Sequence, residues 1–178
     1  MVCPMGWINK GDDEMTSLGT HVRHLMDWKA AVWAGLIAGA LFLLILLGAY
    51  PIVTGGEPWI VLRFMAAIVL GKGVLPPPTG FDLGVVATAV ALHFTLSVLY
   101  SLVLAFIVHR WGILVSIFGG ALFGLALYLI NLFTFTTFFP WFYPARAWPF
   151  AAVHILFGAV AGGIYELIEM DVYVIEEE

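Results

Sequence analysis

The chain has 178 residues, of which 62% are hydrophobic and 11% charged, and its mean hydropathy of +1.02 is beyond what a soluble domain of roughly half apolar composition reaches. At about 20 residues per crossing of ~30 Å of hydrocarbon, the length allows four membrane spans and no separate catalytic domain. A net charge of -5 with no Lys/Arg cluster argues against nucleic acid as a partner and against polybasic attachment to anionic lipid.

The polar segment 1–29 comes first. It lacks the short basic start of a cleaved signal peptide, so the first span is expected to remain. Cys3 is the only cysteine, which rules out an internal disulfide and any site built from several thiolates. The first span is expected over 30–53, entered through Asp27-Trp28-Lys29 and closed by Tyr50-Pro51 at the far interface. The stretch 59–70 is apolar but short, carries Arg63, and is bracketed by glycines, which predicts one short interfacial or re-entrant helix. Pro76-Pro77-Pro78 reads as a stiff connector outside the hydrocarbon.

Asp82 caps a second span over 83–108. His109-Arg110-Trp111-Gly112 turns the chain into a third span over 113–135, which ends in an aromatic belt from Phe138 to Pro144. Pro149 opens a fourth span over 149–168 at the helix start, where its missing N–H is harmless. The acidic tail 169–178 is left in water. The predicted fold class is therefore an all-α membrane protein: a four-helix transmembrane domain over 30–168, plus the short helix.

An internal repeat organises these spans. Gly39-Ala40-Leu41-Phe42 recurs as Gly120-Ala121-Leu122-Phe123, an offset of 81, and His93 recurs as His154, an offset of 61. The 20-residue difference is roughly the 59–70 element with its flanking glycines, so an insertion in the first hairpin accounts for it. Two Gly/Ala-rich spans can match by chance, but both matches occur in the same helix order. The four helices are thus expected to form two hairpins of the same orientation, related by an axis along the membrane normal. At four-residue spacing, His93, Ser97 and Ser101 share one stripe of the second span, and His154, Gly158 and Gly162 one stripe of the fourth. With Gly39 and Gly120 these small residues are candidate helix-packing positions.

His93 and His154 are the candidate functional residues, because an ionisable group inside a bilayer usually faces the bundle interior and needs a partner. In the plainer reading each imidazole is neutral and hydrogen-bonded to Thr95, Tyr128, Asn131 or a backbone carbonyl. In the sharper reading the two ligate a single b-type haem between facing helices. That plan is similar to cytochrome b, in which parallel helices supply opposing histidines, except that here each helix offers one internal histidine. His21, His24 and Asp27 could share one helical face as metal ligands, although a solvated interfacial face is the simpler reading. Glu166 and Glu169 fall at the last turn of the fourth span, where a carboxylate reaches headgroup water. No nucleophile pairs with an acid, so the chain is not expected to be an enzyme.

The stretch from Val74-Leu75-Pro76-Pro77-Pro78 through Phe81-Asp82 to His93 resembles a group of small, uncharacterised four-helix bacterial inner-membrane proteins associated with respiratory gene neighbourhoods. The resemblance implies a bacterial inner membrane and a respiratory partner. Cationic residues nearly balance across the membrane, with Arg23, Lys29 and Arg110 on one side and Arg63, Lys72 and Arg146 on the other. Lys10 then places both termini in the cytoplasm. Two functions are consistent with this pattern. One is a non-catalytic accessory or structural subunit of a larger membrane complex, in contact with lipids and other membrane subunits. The other is a small proton or ion transporter or channel, acting as an oligomer through His93, His154 and Glu166.

Overall fold

The computed structural model describes residues 21–169 and 172–176, with side chains from 26 to 169. Helix α1 (Trp28–Thr54) begins where the Asp27 carboxylate accepts the backbone N–H groups of Lys29 and Ala30, at 2.9 and 3.1 Å, two donors that have no partner inside the helix. It runs through Pro51 and stops at Gly55, whose left-handed φ of 68° lets its N–H reach the Pro51 carbonyl. Helix α2 (Trp59–Leu70) has the predicted bounds. It packs along the first half of α3 (Leu83–Val108), burying Leu62 and Ala66 against Val85 and Ala89. The Asp82 carboxylate caps α3 by accepting the Val85 N–H at 3.0 Å.

A tight turn leads to α4 (Ile113–Leu129), whose last turns relax into a π turn over Ile130–Thr134 and a 3₁₀ turn over Phe135–Thr137. The apolar span is therefore Ile113–Thr137, two residues longer than the sequence pattern suggested. A second 3₁₀ segment, Pro140–Ala145, carries the aromatic belt, and α5 (Trp148–Ile168) follows with Pro149 in its first turn. The result is a membrane-spanning helical bundle: α1, α3, the α4 span and α5 are each long and apolar enough to cross a bilayer, and α2 is the shorter apolar helix. Trp28 and Trp111 at one end, and Phe81, Phe138 and Trp148 at the other, are exposed, as residues at the two membrane–water boundaries are.

The two hairpins pack in one register. Gly39 faces Ser97 and Gly35 faces Ser101 between α1 and α3; Gly120 faces Gly158 and Ser116 faces Gly162 between α4 and α5. Offsets of 81 and 61 convert each pair of the first hairpin into a pair of the second. The second seam is the tighter. A Cβ added to Gly158 would fall onto the Gly120 carbonyl, and one added to Gly120 onto that of Gly158, so the two backbones touch directly, as small-xxx-small packing permits. In the first seam the Ser101 hydroxyl donates to the Ala31 carbonyl at 2.8 Å, a bond of about 0.6 kcal/mol in a membrane bundle.

One sequence expectation changes here. β1 (His21–Leu25) and β2 (Val172–Glu176) pair antiparallel, His21 opposite Glu176 and Leu25 opposite Val172, as a unit of their own. Because the backbone at His21 and His24 is a strand, the three-ligand helical face with Asp27 does not form. Asp27 is the cap of α1 instead. Cys3 and Lys10, which carried the thiol and orientation arguments, lie outside the described residues.

Candidate functional site

The bundle is filled at one end and hollow at the other. Toward the end where α1 begins, Ala31, Ala34, Ala38, Leu104, Ala105 and Ala161, drawn from α1, α3 and α5, form one contiguous core with Leu127 of α4. Toward the opposite end the helices diverge around a cavity of about 710 Å³, well within the range of small-molecule sites. Its walls come from all five helices and from the aromatic belt, and are overwhelmingly apolar, with Leu46, Met65, Leu92, Phe139 and Val153 among them. Trp141 closes one side: its indole Nε1 donates to the Phe64 carbonyl at 3.0 Å, tying the belt to α2.

His93 and His154 both border this cavity. The His93 ring sits with its Nε2 2.8 Å from the Gly39 carbonyl of α1. The His154 Nδ1 is 2.7 Å from the Phe150 carbonyl one turn back on α5. A carbonyl only accepts, so each of these nitrogens carries the proton and donates, and the other nitrogen of each neutral ring is an acceptor. Of the partners expected from sequence, it is the backbone carbonyl that serves. Thr95 donates to its own helix at Ala91, Tyr128 meets His154 only as a ring at 5.8 Å, and Asn131 accepts the Tyr100 hydroxyl at 3.3 Å.

Between the imidazoles stands Phe42. Its ring centroid lies 5.5 Å from that of His93 and 5.0 Å from that of His154. The two histidines share one interior, as the repeat required, but do not face each other across an open slot. Ligation of one haem by both would require Phe42 to leave and His93 to surrender its bond to Gly39. The geometry therefore gives the bis-histidine haem no support. The candidate packing residues Gly39, Gly120, Ser97, Ser101, Gly158 and Gly162 all lie in the two seams.

Ser116, Arg63 and Arg146 tie segments of the bundle together. Ser116, fully buried, donates to the Glu166 carboxylate at 2.6 Å, which attaches that carboxylate to α4. Arg63 is 5% exposed and donates to the Val74 and Gly80 carbonyls at 3.1 and 2.8 Å, clamping the proline connector; its Nε has no hydrogen-bond partner among the described residues. Arg146 donates to the Leu132 carbonyl and the Thr136 hydroxyl while stacking on Tyr143. It thereby serves the carbonyls released by the π turn, at a helix end where positive charge is favoured.

Sequence reasoning did not anticipate the cavity, Phe42 as the divider, or the π turn that carries Asn131. The signal was partial: Phe42 belongs to the repeated Gly-Ala-Leu-Phe motif, and Asn131 is a polar residue well inside an apolar span. In comparisons with protein-family models, curated proteins and solved structures, the chain matches none.

Proposed function

We propose that this protein is a non-catalytic accessory subunit of a larger membrane complex, in a bacterial inner membrane with both termini cytoplasmic, and that it holds a lipophilic molecule in its intramembrane cavity. The observation that carries the reading is the asymmetry of the bundle, hollow and apolar at one end and filled with small side chains at the other. An apolar chamber of this size suits storage or positioning of a hydrophobic molecule. The bonding of the interior polar groups supports the same view: His93, Ser101, Arg63 and Arg146 are engaged with backbone carbonyls, so they serve as scaffold. A respiratory partner is the more specific form of the proposal and rests on the resemblance of the 74–93 stretch alone.

Solubilisation from native membranes into lipid nanodiscs tests it. The protein is expected to migrate with a much larger assembly. A lone homo-oligomer that dissipates a proton or ion gradient in liposomes would overturn the reading in favour of a transporter.

A further inference from the structure

The cavity reading can be carried to the chemistry of its occupant. Resting on that reading, we infer that the cavity takes a lipophilic molecule bearing a hydroxyl group, held by donation of that hydroxyl to His154 Nε2. Three observations converge on this. His154 Nδ1 is fixed as the donor by the Phe150 carbonyl at 2.7 Å, so in the neutral ring Nε2 is an acceptor. The ring's one hydrogen bond among the described residues is the one at Nδ1, which leaves Nε2 without a partner there, and the residue borders the cavity. The chamber of about 710 Å³ that it borders is mostly apolar, and in such surroundings an acceptor left without a donor is costly.

The surroundings specify more than a bare alcohol. Phe42 stands edge-on to the imidazole at 5.0 Å, and Tyr128 lies at 5.8 Å on the ring as well. A flat ring carrying the hydroxyl fits among such neighbours through offset and edge contacts, and an alkyl or isoprenoid body fills the apolar remainder. The class is therefore a phenol-type head on a hydrocarbon tail. A molecule of the same shape with its oxygen methylated leaves Nε2 unpaired, and it is rejected for that reason.

The test uses full-length protein in nanodiscs with two labelled probes, 4-nonylphenol and its methyl ether 4-nonylanisole, with partition into empty nanodiscs subtracted. Wild-type protein is expected to bind the phenol about tenfold more tightly than the ether, the worth of one hydrogen bond in a dry site. In His154→Phe the phenol falls to the affinity of the ether, and the retained ether binding reports an intact cavity. His154→Gln, which restores an acceptor, recovers part of the preference. Equal affinity of both probes for wild-type protein would overturn the hydroxyl inference and leave the cavity reading standing. Saturable binding of neither would overturn both, and a preference that survives His154→Phe would remove His154 as the acceptor.

Discussion

The two helix seams of this bundle solve one problem by different means. Between α1 and α3, serines face glycines: the Ser97 hydroxyl lies 2.6 Å from where a Gly39 Cβ would be, and Ser101 ties the pair with a hydrogen bond to Ala31. Between α4 and α5, Gly120 and Gly124 meet Gly158 and the His154 carbonyl with backbone against backbone. The difference shows what lipid demands. With no hydrophobic force between helices in hydrocarbon, close approach and hydrogen bonds are what remain, and each seam relies more heavily on one of them. A seam of touching backbones has nothing that can rotate away, whereas a seam lined with serine retains a movable atom.

Substitution at Gly158 is the strongest way to break that contrast. In Gly158→Ala the new methyl group meets the Gly120 carbonyl with no side chain to yield, and α4 and α5 must separate, at a cost of about 3 kcal/mol. Unfolding in mixed micelles with increasing sodium dodecyl sulfate, followed by circular dichroism, measures the loss. Gly39→Ala should cost less, about 1–2 kcal/mol, because the Ser97 hydroxyl can swing aside even though its Cβ, 2.8 Å from the new methyl, must also move. Adding Ser97→Gly to that background should recover most of the loss. The coupling between the two sites comes from the full double-mutant cycle in the same titration. The smallest effect is expected at the hollow end: Val153→Leu adds a methylene into the cavity that Val153 borders, and stability should stay within about 0.5 kcal/mol. A large loss there would show that the cavity end is as tightly packed as the seams.

The same contrast explains what could be read from the chain in advance. Ser97, Ser101, Gly158 and Gly162 were legible because helix periodicity converts a four-residue spacing directly into a face. The repeat then linked Gly39 to Gly120 and His93 to His154, and the structure extends the same offsets to Ser97 and Gly158. The cavity was not legible. It exists because α2 leans on α3 and the belt folds back until Trp141 reaches the Phe64 carbonyl, contacts between residues 77 positions apart that no local pattern encodes. Arg63 illustrates the point: in sequence it marked an interfacial helix, while in the fold its guanidinium is buried and holds the connector through Val74 and Gly80. The π turn was hidden for a related reason, since the carbonyls it frees accept hydrogen bonds from Arg146, beyond the helix.

By itself, then, the order of residues determined that this is a membrane-spanning helical protein, roughly where its spans lie, that Asp82 caps one of them and which small residues share a face, because hydrophobic length, capping and helical period are local quantities. Only the tertiary structure decided that Phe42 stands between the two imidazoles, that each histidine donates to a carbonyl, and that one end of the bundle is open. Those outcomes depend on how far neighbouring helices diverge, and divergence is set by contacts between segments distant in the chain.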